Sequence, residues 1–83
     1  MKREYSDSYF ESEYVEDNKD GFAGLVLYRY HAGKKEKVAS VIFWDAMGAY
    51  YIETFGKGIP LPIAEELIAA TKAVIKEPSM TLR

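Results

Sequence analysis

His31 is the chain's one histidine, and there is no cysteine. A metal site built on it would have to take its other ligands from Asp and Glu. Metal sites gather such ligands at short, recognisable spacings, and none brackets His31, which the pattern puts at a strand end facing solvent. Asp45 has the chemistry of a general base. It opens the run Asp45-Ala46-Met47-Gly48, however, where an Asp side chain ordinarily caps its own turn. Glu65 and Glu66 are adjacent in a helical stretch and diverge by about 100° around the axis, a poor geometry for paired acid–base work. Ser40 has no histidine or lysine opposite it to activate the hydroxyl. Gly56-Lys57-Gly58 lacks the spacing and the following Ser or Thr of a phosphate-binding loop. The expectation is a protein that is not an enzyme and uses no metal or cofactor.

The aromatic residues suggest a different chemistry. Tyr28, Tyr30, Trp44, Tyr51 and Phe55 fall on one face of the strands derived below, together with Ile42, while Arg29, Lys34, Lys35, Lys37 and Lys57 lie around them. Rings on an open sheet can stack bases while cations meet phosphates, each stacked base being worth roughly 1–3 kcal/mol. The same rings would serve as half of a dimer core, or as a bed for the N-terminal segment. Residue chemistry leaves these alternatives open.

The elements that must position these groups are legible from the pattern. Residues 1–8 are polar and read as mobile. Tyr9 to Val15 reads as a charged edge strand, with Tyr9, Glu11, Glu13 and Val15 on one face, and Asp17-Asn18-Lys19-Asp20-Gly21 ends it. Phe22 to His31, Lys37 to Trp44 and Ala49 to Phe55 read as three consecutive strands. They are joined by a polar five-residue loop, 32–36, and by a four-residue hairpin loop, 45–48. With those loop lengths one face collects Leu25, Leu27, Ala39, Val41, Phe43, Tyr50 and Ile52. The other collects Val26, Tyr28, Tyr30, Val38, Ser40, Ile42, Trp44, Tyr51, Glu53 and Phe55, since residues opposite in an antiparallel ladder share a face.

Pro62 to Glu77 is the single strong helical pattern. Ile63, Leu67, Ala70, Thr71, Val74 and Ile75 form its apolar stripe, and early glutamates and late lysines complement the helix dipole. Pro78 stops it, leaving 79–83 as a tail. One helix can cover one face of the sheet, so the aromatic face needs another cover: a second copy, a protein partner or a stacked ligand.

Composition bounds the rest. The chain has 83 residues, one domain spanning 1–83 and near the size at which a single core is only just sufficient. Self-association is the natural supplement, and a homodimer is expected. No apolar run approaches the roughly 20 residues that span a bilayer, so no membrane association and a cytoplasmic location are expected. The net charge of −2 hides an asymmetry: residues 1–20 hold seven acids against three bases, leaving the remainder at +2. A pI near 5.4 opposes a broad basic footprint but allows a local basic rim.

The stretch Val41-Ile42-Phe43-Trp44-Asp45, followed by Tyr51-Ile52-Glu53-Thr54-Phe55-Gly56-Lys57-Gly58-Ile59-Pro60-Leu61, resembles the transcriptional positive-cofactor-four-like family over roughly residues 38–76. The resemblance implies consecutive antiparallel strands, a glycine–lysine–glycine step and one long helix. It also implies dimerisation and a transcription-coactivator-like role in binding single-stranded DNA or RNA across the sheet. Trp44, Tyr51 and Phe55 would stack and Lys57 would meet phosphate. The chain departs from the family pattern at Glu53, where members tend to be basic, in lacking a loop before Gly56, and in being acidic overall. The expected fold is α+β, antiparallel β-β-β-β-α, with one C-terminal helix packed on a single sheet. The expected function is non-enzymatic single-stranded nucleic-acid binding by Tyr28, Tyr30, Trp44, Tyr51, Phe55, Lys34, Lys35, Lys37 and Lys57. The alternative is a small protein-binding module or inhibitor that uses the acidic N-terminal segment and the same face.

Overall fold

The computed structural model describes residues 1–75. Five antiparallel strands, β1 (Lys2–Tyr5), β2 (Ser8–Asp17), β3 (Phe22–His31), β4 (Lys34–Trp44) and β5 (Ala49–Thr54), run in sequence order through one open sheet, followed by α1 (Leu61–Val74). The architecture is the expected α+β meander with a C-terminal helix, plus one further strand at the N-terminus. That strand comes from the residues whose polarity suggested a mobile segment. Lys2 to Tyr5 pair with Glu11 to Ser8, and Ser12 N–H donates to the Met1 carbonyl at 3.0 Å. β2 is therefore an interior strand, and its charges do not mark an edge; β1 takes the edge.

The turns follow their chemistry. Asp17 Oδ1 accepts from the N–H groups of Lys19 and Asp20 at 2.9 and 3.1 Å, and Gly21 supplies the positive φ of 76° that lets Phe22 start β3 opposite Asp17. Asp45 to Gly48 form the four-residue loop that brings Ala49 opposite Trp44. The β3–β4 connection differs from expectation. It is a two-residue turn, Ala32-Gly33, with φ of 51° and 76° and His31 opposite Lys34. Positive φ at both positions is the hairpin geometry that matches strand twist. The polar Lys34-Lys35-Glu36, read as loop, extends β4.

A tighter turn alone would have inverted the facing of β4, because side chains alternate. A bulge restores it. Leu27 lies opposite Ala39 and Tyr28 opposite Lys37, so Val38 is the extra residue. Val38 consequently joins the core at 1% exposure, and does not lie on the aromatic face.

The core lies between sheet and helix. Phe10, Leu25, Leu27, Val38, Ala39 and Val41 pack with Ile63 and Leu67. Pro60 caps α1 from outside, its carbonyl accepting from the N–H groups of Ile63 and Ala64 at 3.0 Å each, and Pro62 sits in the first turn, where a missing donor is harmless. The first turn holds no acid. Glu66 instead accepts from Arg3 Nη1 at 2.9 Å, tying α1 to β1. Thr71 is buried, with its hydroxyl donating to the Leu67 carbonyl at 2.8 Å. Val74, expected in the stripe, is 56% exposed. The expected helix end at Glu77, the stop at Pro78 and the tail at 79–83 lie outside the described residues.

The 14 residues of α1 span about 21 Å, and they pack on β3 and β4. At β5 the end of the helix meets Tyr50, whose hydroxyl donates to the Ile75 carbonyl and whose ring centre lies 5.9 Å from Lys72 Nζ. Ile52 faces the helix side, in register with Val41, yet is 51% exposed.

Candidate nucleic-acid interface

Strand alternation and the bulge decide which side chains meet on the side away from α1. Tyr30 lies opposite Lys35 and Tyr28 opposite Lys37, and farther along Val26 pairs with Ser40 and Ile42 with Tyr51. From β2 the same face receives Tyr9, Glu11 and Glu13, opposite Tyr30, Tyr28 and Val26.

The face has two aromatic ends. Near the Ala32-Gly33 turn, the Tyr9 and Tyr30 rings are 5.7 Å apart. Lys35 Nζ stands 4.5 Å from the Tyr28 ring centre and 5.7 Å from that of Tyr30. The Tyr30 hydroxyl beside the ammonium raises the Lys35 pKa, and Glu13, whose Oε2 is 3.4 Å from Nζ, adds to the effect. At the far end Trp44 and Phe22 pack with ring centres 4.9 Å apart, and Tyr51 borders Trp44 in a hollow of about 430 Å³. Between the ends lies a hollow of about 340 Å³ lined by residues that include Lys37, Ser40, Ile42 and Phe55. Lys37 Nζ is 5.5 Å from the Phe55 ring centre. Phe55 and Tyr51 are 38% and 46% exposed, while Tyr28, Tyr30 and Trp44 are half-buried.

Gly24 contributes through what it lacks. It sits in register between Val15 and Ile42, and a Cβ there would lie 2.1 Å from the Val41 carbonyl oxygen and 2.8 Å from Ile42 Cα. Only glycine permits this approach of β3 to β4 beneath the rings.

The cations divide between the faces. Lys35 and Lys37 stand over aromatic rings. Lys34 and Arg29 pair in register with His31 and Glu36 and so share the helix side. Arg29 donates to Glu36 Oε1 at 2.6 Å, and Lys57 Nζ is 3.4 Å from Glu36 Oε2. The Arg29 guanidinium, then Lys57, hold the Glu36 carboxyl below its ordinary range. Lys57 and Arg29 are thus engaged in an ion triad under the sheet, away from the rings they were expected to rim. Sequence reasoning left Tyr9 and Phe22 out of the site. The alternation of β2 already put Tyr9 beside Glu11 and Glu13, but only the register with β3 brings it to Tyr30.

Among the described residues no group of three or more His, Cys, Asp or Glu is placed to hold a metal ion, and no helix is long and apolar enough to cross a membrane. Comparisons with protein-family models, with curated proteins and with solved structures give no match for this chain.

Proposed function

We propose that the chain binds single-stranded nucleic acid, DNA or RNA, without catalysis, on the sheet face opposite α1. Bases stack on Tyr51, Phe55 and the Trp44 end, and on Tyr28 and Tyr30 at the other. Lys35 and Lys37 meet the phosphates between them, while Lys34, on the helix side of the hairpin, takes no part. The observation that carries this reading is the placement of two lysine ammonium groups directly over rings, Lys35 on Tyr28 and Lys37 on Phe55. Cation and π surface are then presented together, as a strand of alternating phosphate and base requires. The resemblance to the positive-cofactor-four-like family supports the same assignment. Lys57, bound to Glu36, is a minor contributor in this reading.

The test is a salt-titrated anisotropy measurement with fluorescent oligo-dT and oligo-U. Tyr51→Ala and Phe55→Ala are each expected to weaken binding by roughly 1–3 kcal/mol with little base preference. Lys37→Ala is expected to reduce the salt slope by about 0.7. Absence of binding at low ionic strength rejects the proposal.

A second reading rests on Glu11, Glu13 and Glu53, which share the face with the rings. A basic protein partner would use those carboxylates, and neutralising Glu11 and Glu13 would then abolish its binding.

A further inference from the structure

We propose that β5 is the seam of a homodimer, in which two copies pair their β5 edges antiparallel about a two-fold axis through Ile52. The two edges of the sheet differ in kind. β1 carries Lys2, Arg3 and Glu4, all exposed, and such charges keep an edge from pairing. β5 reads Ala49-Tyr50-Tyr51-Ile52-Glu53-Thr54, with one charge, no proline and an unbroken register to β4. Its middle is apolar and open on both faces, through Tyr51 on one side and Ile52 on the other. Ile52 borders Ile68 and Lys72 of α1 in a hollow of about 160 Å³ and still keeps half of its surface exposed, open to a further occupant.

The main chain fixes the phase of the pairing. Phe55 N–H donates to the Val38 carbonyl at 3.2 Å, so the odd-numbered residues aim their backbone groups at β4. Alternation then aims those of Ile52 and Thr54 outward. A two-fold through Ile52 matches outward groups with outward groups along the strand. Ile52 meets its own copy, Thr54 meets Tyr50 of the second copy, Tyr51 lies across from Glu53, and Phe55 across from Ala49. Each Glu53 thus faces a tyrosine and not the other Glu53. The two exposed isoleucines cover one another. On the opposite face Phe55 of one copy approaches Ala49, the register partner of Trp44, so the aromatic rows of two molecules join.

The chain has no cysteine, which makes cross-linking a direct test of the register. Directly opposite residues of a hydrogen-bonded antiparallel pair have Cα atoms about 5.5 Å apart, within the roughly 4.4–6.8 Å that a disulfide spans. Ile52→Cys is therefore expected to give a covalent dimer on mild oxidation. Thr54→Cys, whose two copies would lie about 14 Å apart at about 3.4 Å per residue, is expected not to. Ile52→Lys puts like charges on the axis and is expected to run as a folded monomer by light scattering, with the parent's circular dichroism. A parent that scatters as 9.4 kDa at micromolar concentration overturns the proposal. So does a dimer that persists in Ile52→Lys, or one in which Thr54→Cys cross-links as readily as Ile52→Cys. All of these are read without nucleic acid, so they stand apart from what the aromatic face binds.

Discussion

Lys35 holds its ammonium 4.5 Å above the ring centre of Tyr28 while its charge is shared with Glu13 at 3.4 Å. The same cation thus serves a π surface and a carboxylate, and a phosphate would have to compete with Glu13 for it. Glu13→Gln is expected to strengthen oligonucleotide binding a few-fold and steepen its salt dependence, because an exposed ion pair of this kind is weak and screened by salt. The protein-partner reading requires the opposite sign, because it uses Glu13 as a contact. Anisotropy titrations of parent and variant at one salt concentration separate the two.

Glu36 links acid sensitivity to the ion triad. Its carboxyl titrates lower in the folded protein than in the unfolded chain because Arg29 and Lys57 stabilise the anion. Stability from this group is fully present above the unfolded value of about 4.3 and is lost as pH falls through the lower folded value. Glu36→Gln is expected to melt below the parent at pH 6–7, with the difference shrinking as both are acidified through that window. A constant difference down to strongly acid pH would mean that charge is not what Glu36 contributes.

Ala32 adopts a φ of 51° in the hairpin turn, a region that disfavours a side chain by roughly 1–2 kcal/mol. Ala32→Gly or Ala32→Asn is expected to raise the urea midpoint without changing the denaturant slope, offset in part for glycine by its unfolded-state entropy. An unchanged or lower midpoint for Ala32→Asn contradicts the turn geometry.

How much of this was visible in the sequence depended on parity. The order of strands, the face that holds Leu25, Leu27, Ala39 and Val41, and the helix that covers it follow from alternation and 3.6-residue periodicity. The β3–β4 connection did not, because Lys34-Lys35-Glu36 is as polar as any loop and only the φ values at Ala32 and Gly33 show that the turn needs two residues. The faces of β4 survived that difference because the bulge at Val38 inserts the residue that restores alternation. A bulge leaves no mark in composition. The same bulge carries Val38 from the aromatic face to the core, while the two-residue turn puts Lys34, and the contact with Glu36 puts Lys57, on the side of the sheet away from the rings. The strand Lys2–Tyr5 was hidden by its polarity; its pairing with β2 and the contact of Arg3 with Glu66 hold it, and these are long-range relations.

Gly24 should be intolerant of any side chain. A Cβ placed 2.1 Å from the Val41 carbonyl oxygen meets backbone on a central strand, where relief requires the strands to part. Gly24→Ala is expected to cost about 1–3 kcal/mol or more in urea unfolding. An alanine variant as stable as the parent would show that β3 and β4 do not approach so closely.

The central claim is that the aromatic face takes up single strands, and Trp44 reports on it directly because it is the chain's one tryptophan. The measurement is its intrinsic fluorescence during titration with unlabelled oligo-dT and oligo-U at low ionic strength. The account predicts saturable quenching that reverses as salt is added and weakens in Lys37→Ala. Fluorescence that stays constant through the titration, from a protein shown by circular dichroism to be folded, would contradict it.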